Sequence, residues 1–353
     1  MPSSSSVSLP LPSQANAVET EVEQMNFNFT IPSPLRGIIP PMITPLQDRE
    51  TLDVPGLERL IEHMIDGGVH GLFILGTSGE AASLAPDLAC ELIRRTCVLV
   101  AGRVPVLVGI TDTRVAGSIA LAHRSAHAGA AAVVISTPYY LPLEQGELIT
   151  YVKSVVEAQP LPVFLYNIPS LTKTAYEPDT VAQLSEIPRV VGLKDSSGSL
   201  PYLQCIQKRV KRDDWSFLVG TESLLADAVL AGSHGCVAGG ANVDPRGFVS
   251  LFDAAMRRDL TTIAPLRERL ESFDRIYRLA PGGASIVRGL KCALSCLGIC
   301  GCRMASPHRS CTQAERKIIQ SYLDQLNLST REVWPTLTLP NQLTRSGATE
   351  PVS

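Results

Sequence analysis

Lysine is scarce in this chain. Of 31 basic residues only seven are lysine, and none precedes Lys153. Charged residues make up 18% and the net charge is −3, which leaves no basic surface for nucleic acid or anionic lipid. No apolar run approaches the roughly 20 residues that span a bilayer, so no membrane association is expected. Phosphate-cradling loops are missing too. Gly76–Gly79 is followed by no lysine, and its glycines stand too close together for a P-loop or a dinucleotide fingerprint. The N-terminal stretch has no basic residue before Arg36, no apolar h-region, and carries Glu19, Glu21 and Glu23. Neither a secretory signal nor an Arg-rich transit peptide is expected. Nine cysteines are present, and Cys292, Cys296, Cys300, Cys302 and Cys311 cluster near His308. Their spacing matches no zinc pattern well, and Cys292/Cys296 is the i, i+4 spacing of one helix face. Buried, inert thiols are favoured over a metal site, and a reducing cytoplasm fits them. Neither metal nor organic cofactor is expected.

What is present is a long, apolar-rich chain: 353 residues, 45% of them hydrophobic. That suits one large domain with additions. Residues 1–34 and 329–353 lack apolar periodicity and read as a disordered leader and tail. Between them, short β-rich runs alternate with helical patterns. The candidate strands are Gly37–Ile43, Gly71–Leu75, Val104–Ile110, Ala132–Ser136, Pro162–Tyr166, Val190–Lys194, Phe217–Gly220 and Gly235–Ala238. They are apolar without alternation, as strands covered on both faces are. Leu57, Leu60, Ile61, Met64 and Ile65 make a helical stripe that stops at Gly67-Gly68, and Leu148, Ile149, Val152, Val155 and Val156 make another. Eight βα units predict a TIM (β/α)₈ barrel over 35–248, with a doubly wound sheet as the runner-up. Helical patterns at 249–258, 261–280, 283–298 and 313–326 predict a C-terminal helical extension over 249–328. The last opens with a capping-box spacing from Thr312 to Glu315.

In such a barrel, reactive groups sit at the C-terminal ends of strands and in the loops that follow. Those positions hold Thr44, Gly76-Thr77-Ser78-Gly79-Glu80, Thr137-Pro138-Tyr139-Tyr140, Tyr166-Asn167, Lys194-Asp195-Ser196-Ser197-Gly198 and Gly239–Asn242. Hydroxyls dominate, with one amine among them. Lys194 ends the apolar run Val190–Leu193, where desolvation disfavours an ammonium and makes the amine a better nucleophile toward a ketone. The alternative is a strand-end lysine whose head reaches solvent or a carboxylate. Imine chemistry needs proton traffic, and Tyr166 ends the preceding strand. Thr77 and Tyr140 can extend a hydroxyl relay, whereas each tyrosine could equally be an amphipathic rim residue. Glu80 reads as a residue that orients its loop or caps the helix that follows.

Four strings in this order, Gly76–Glu80, Thr137–Tyr140, Tyr166-Asn-Ile-Pro169 and Gly192-Leu-Lys-Asp-Ser-Ser-Gly198, resemble the dihydrodipicolinate synthase/N-acetylneuraminate lyase family. The resemblance runs from about Arg36 to Leu326. It implies a TIM barrel with helical extension, a homo-oligomer (dimer or tetramer), and a Lys194 imine with pyruvate or another 2-oxo acid. Tyr166 then matches the proton-relay tyrosine and Thr77 its bridging hydroxyl. Tyr140 matches the tyrosine that reaches into a neighbouring subunit's site. Thr77 and Ser78 match the loop holding the 2-oxo acid carboxylate, and Gly220, Val237 and Ser196 fall at the pocket.

One position departs. Where the synthases carry an arginine for the carboxylate of aspartate semialdehyde, this sequence has Leu171, with Lys173 two residues on. A buried carboxylate without a partner is costly, and a lysine is a flexible point charge, not a bidentate fork. Neuraminate lyases are the closer comparison here, although Glu222 and Ser223 match their hydroxyl-binding positions only loosely. The expected function is therefore a cofactor-free class I aldolase or lyase joining or splitting a 2-oxo acid and an aldehyde, one bearing hydroxyls rather than that carboxylate. The rivals are a true dihydrodipicolinate synthase and a non-catalytic binding or regulatory barrel.

Overall fold

The computed structural model describes residues 31–279 and 282–328. Eight strands alternate with helices: β1 Gly37–Ile38, β2 Leu72–Ile74, β3 Val106–Gly109, β4 Ala132–Ser136, β5 Val163–Asn167, β6 Val190–Asp195, β7 Ser216–Val219 and β8 Gly235–Cys236. All pair in parallel, each with its sequence neighbour, and β1 pairs with β8. The remaining seam, between β1 and β2, is joined by a parallel bridge at Pro41/Phe73. His70 donates to the Ile38 carbonyl at 2.8 Å, Phe73 to Pro40 at 3.0 Å and Met42 to Phe73 at 2.8 Å. The sheet is therefore a barrel. A doubly wound sheet would reverse its strand order at a switch point, and none occurs. The first strand is shorter than the predicted Gly37–Ile43 because Pro40 and Pro41 have no N–H to give to a ladder.

Each strand is followed by its helix: α1 Val54–Asp66, α2 Pro86–Val100, α3 Val115–His127, α4 Gln145–Glu157, α5 Pro178–Ser185, α6 Leu200–Arg209, α7 Leu225–Leu230 and α8 Pro245–Met256. The first buries the predicted stripe at Leu57, Leu60, Ile61 and Met64 and stops at Gly67. Pro178 opens α5, where its missing N–H costs no bond. The helical pattern expected at 249–258 starts earlier, at Pro245, with the Asp244 side chain capping Gly247 N–H. It packs on α7 and β1 and completes the eighth βα unit, so the expected boundary at 248/249 falls inside a barrel helix. The extension proper is α9 Leu260–Glu271, a single turn at Asp274–Tyr277, α10 Ser285–Cys296 and α11 Gln313–Gln325. The Thr312/Glu315 capping box at the start of α11 is made in both directions.

Two apolar clusters result. One lies between strands and helices. The other fills the barrel, with Leu35, Ile39, Phe73, Leu107, Val134, Phe164, Leu218 and Val237, and Tyr166 at its upper edge. Gly192 belongs to this inner layer. A Cβ there would lie 2.6 Å from the Phe164 ring and 2.7 Å from the Ser216 carbonyl, so the position two before Lys194 admits no side chain. The leader and tail expected at 1–34 and 329–353 lie outside the described residues, apart from 31–34, where Ser33 Oγ donates to the Asp214 carbonyl. No described helix is long and apolar enough to cross a membrane.

Candidate active site

Parallel pairing of β5 with β6 sets Tyr166 opposite Lys194 and Asn167 opposite Asp195. With a period of two along each strand, the first pair enters the barrel mouth and the second turns outward. Asn167 Nδ2 donates to Asp195 Oδ1 at 2.8 Å, and Asp195 Oδ2 accepts from Ser197 Oγ at 2.8 Å. Burial raises the Asp195 carboxyl above its usual range, and these hydrogen bonds work against that rise. The outward pair thus fixes the strand ends that carry the inward one.

Lys194 is 5% exposed. Its Nζ lies 3.8 Å from the centroid of the Tyr166 ring and 4.9 Å from that of Phe73. Both are cation–π distances, and desolvation strengthens such contacts. Thr77 comes from the loop after β2, and its Oγ1 is 3.5 Å from Tyr166 Oη, at the outer edge of a hydrogen bond. Burial alone would raise the Tyr166 phenol. The Lys194 charge, with hydrogen bonds from Thr77, Lys194 and Ser196, outweighs burial and holds it below its ordinary 10.

These groups open into a cavity of about 630 Å³, whose walls include Thr77, Ser78, Ser196, Gly220 and Val237. Its size is that of a small-molecule site. A Cβ at Gly220 would sit 2.0 Å from Ser196 Oγ, so a side chain there would turn that hydroxyl out of its present place. The far wall holds Glu222 and Tyr277. Glu222 Oε1 accepts from Gly240 N–H at 2.9 Å and Oε2 from Tyr277 Oη at 2.8 Å. Burial raises its carboxyl and those donors oppose the rise. Tyr277 has no strand-end position to mark it in the sequence. It comes from the extension, to which the sequence assigned no site residue.

A second cavity of about 320 Å³ shares Thr77, Tyr166 and Ile168 with the first and is lined also by Thr111, Tyr139, Leu171 and His308. Leu171 is thus beside the site, on a single-turn helix at Pro169–Thr172. Lys173 does not line either cavity; its Nζ donates to the Ser170 carbonyl at 3.1 Å. Tyr140 is not brought to Lys194 within the chain. It is 89% exposed, with a left-handed φ of 83°, next to the exposed Leu141.

Glu80 orients its loop but does not cap the short helix after it. No cap hydrogen bond forms, and its carboxylate instead pairs with Lys291 of α10. Cys292, Cys296 and Cys300 are buried, while Cys302 and Cys311 are partly so. A hydrogen bond from Cys292 brings the Cys296 thiol down to about 7. No group of three His, Cys, Asp or Glu residues able to hold a metal occurs among the described residues.

Residues 34–326 match the model of the dihydrodipicolinate synthetase family. The chain belongs to that family. It is 35% identical over 241 residues to 4-hydroxy-tetrahydrodipicolinate synthase of Azoarcus sp. (strain BH72), covering 68% of this chain and 82% of that protein. Among solved structures, dihydrodipicolinate synthase from Bacteroides thetaiotaomicron is 46% identical, with a TM-score of 0.81 and coverage of 83% and 99%. YagE, a prophage protein of the dihydrodipicolinic acid synthase family from E. coli K12 solved in complex with pyruvate, is 30% identical, with a TM-score of 0.79 and the same coverage. The chain is accordingly a lyase of the class I aldolase kind, acting on a 2-oxo acid.

Proposed function

We propose that Lys194 is the imine-forming amine and that Tyr166 moves the protons. The observation that carries this is the Lys194 Nζ set 3.8 Å over the Tyr166 ring in a buried, hydroxyl-lined cavity. The neutral amine attacks C2 of pyruvate or a related 2-oxo acid. The carbinolamine then loses its hydroxyl as water, with Tyr166 supplying the proton. Removing a C3 proton gives the enamine, which adds to an aldehyde carbonyl; the reverse order splits the same bond. A phenol held below its ordinary range gives up its proton more readily near neutral pH. Thr77 and Ser78 hold the carboxylate with hydroxyl and backbone donors. Gly220, Val237 and Ser196 shape the rest of the pocket. A cytoplasmic setting suits the nine free thiols.

Leu171 decides the aldehyde. Among the described residues no lysine or arginine lines the cavity beside it, and Lys173 is turned away to Ser170. An acceptor carboxylate placed there would be desolvated with only the Thr111 and Tyr139 hydroxyls and the His308 ring to meet it, and no bidentate guanidinium. The wall at Ser196, Thr221, Glu222 and Tyr277 offers hydroxyl and carboxylate groups instead, and the two arginines of that cavity, Arg267 and Arg278, are paired with Asp227 and Asp274, which suits an aldehyde bearing hydroxyls. A second reading, condensation of pyruvate with aspartate semialdehyde, is favoured by relatives named as synthases.

Tyr140 completes the picture as a residue for a second copy. A bulky side chain at φ 83° and 89% exposure is strained and unsupported in its own chain. The cavity at Thr77 and Tyr166 offers it a berth in a partner, so the active unit is at least a dimer, and a homotetramer in the form built from such dimers.

Three measurements check this. Borohydride with pyruvate should leave one reduced adduct on Lys194 and abolish turnover, and Lys194→Ala should show neither; an adduct on Lys173, or none with any 2-oxo acid, contradicts the mechanism. Wild-type kcat/KM with aspartate semialdehyde should fall at least about 10³ below that with the best hydroxyaldehyde, for want of a bidentate cationic partner to the carboxylate. Leu171→Arg should narrow that gap; efficient semialdehyde turnover by both wild type and Lys173→Ala would establish the synthase reading. Light scattering should find no appreciable monomer at micromolar concentration, and a fully active monomer would remove Tyr140 from the site.

A further inference from the structure

The extension reaches the site through one buried ion pair. Lys291, in the middle of α10, is completely buried, and the Glu80 side chain is 3% exposed. The Lys291 ammonium pairs with Glu80 Oε1 and donates to the Arg303 carbonyl at 2.6 Å. Glu80 Oε2 accepts from Ala305 N–H at 2.9 Å. One carboxylate therefore gathers α10 and the segment before α11 onto the loop that carries Thr77 and Ser78. The loop is held on its other side as well, where Thr44 Oγ1 donates to the Gly79 carbonyl at 2.7 Å. Glu80 itself sits in left-handed backbone at φ 58°, unusual for a glutamate and maintained only where its surroundings fix it.

A buried ion pair is a poor source of stability, because desolvating both charges offsets most of their attraction. Its use lies in fixing geometry. Burial pushes the Lys291 amine down while the adjacent Glu80 carboxylate pulls it back up. The same helix and its entry supply Val287 and Ala284 to the wall of the cavity beside Thr77. Sequence reading placed Glu80 next to the site but had no reason to join it to a lysine 211 positions later in the chain.

We infer that the Glu80–Lys291 pair is a positioning device: it sets the height of the Thr77–Ser78 loop against Tyr166 and Lys194, and so sets affinity for the 2-oxo acid carboxylate. The carboxylate role rests on the function proposed above; the clamping of the loop does not. Displacing this loop weakens capture of the acid before it changes the chemistry at Lys194.

Three variants test it: Glu80→Gln, Lys291→Met and the two combined. The double variant buries no unpaired charge and is included because either single variant alone can fail to fold; thermal melting identifies the folded ones. Amide hydrogen exchange in the peptide spanning residues 76–81 is read first and needs no activity. It should be at least about tenfold faster in every folded variant, since local opening follows the loss of buried contacts. The pyruvate concentration giving half-maximal borohydride trapping is read second. It should rise at least about tenfold, with the extent of trapping at saturation retained. Wild-type exchange in a folded double variant overturns the clamp. Faster exchange with unchanged half-saturation overturns its link to the carboxylate. If the wild type itself forms no adduct, the Schiff-base reading fails separately, and exchange alone decides the clamp.

Discussion

A cation held against an aromatic face at the mouth of a closed barrel governs the rest of this molecule. Lys194 has given up nearly all its water, and what it receives in return is the ring of Tyr166 at 3.8 Å and that of Phe73 at 4.9 Å. Among the described residues no carboxylate pairs with it, and these two ring faces are what its ammonium meets. The same charge acts on the phenol, countering what burial would otherwise do to it. The contact that lowers the phenol most is a product of strand register: Tyr166 opposite Lys194 on adjacent parallel strands. Gly192 is empty of side chain so that the inner layer can close beneath them.

Much of this was legible in the sequence, for identifiable reasons. Strands buried on both faces are continuous apolar runs, so Val190–Leu193 announced both a strand and the desolvated position of the lysine ending it. The capping box at Thr312 is a local device, and local devices are visible locally. What escaped was long-range. Helix α8 begins at Pro245 under an Asp244 cap, but its apolar periodicity is clearest further on, which moved the barrel's last helix into the extension. Glu80 read as a residue that orients its loop or caps the next helix, and spacing could not choose between the two because its partner lies in α10. Tyr277 could not be tied to Glu222 from spacing, since only the folded extension brings its hydroxyl to that carboxylate.

The extension consequently has two contacts with the chemistry rather than none. Through Tyr277 it contributes to the far wall of the main cavity, and through Lys291 it grips the back of the hydroxyl loop. Barrel and extension divide the labour. The strands deliver the proposed reacting pair in register, and the helices outside shape the cavity that the pair faces. Leu171 and Tyr140, to which we assign substrate choice and assembly, lie on exposed connections around the mouth.

The electrostatic coupling of Lys194 to Tyr166 can be read directly by titrating tyrosinate absorbance in the wild type, in Tyr166→Phe to assign the signal, and in Lys194→Met. The account predicts a tyrosine that ionises below the ordinary 10 in the wild type, is missing in Tyr166→Phe, and moves upward in Lys194→Met, where burial is no longer opposed by the cation. A Tyr166 titration unmoved by loss of the lysine would contradict it.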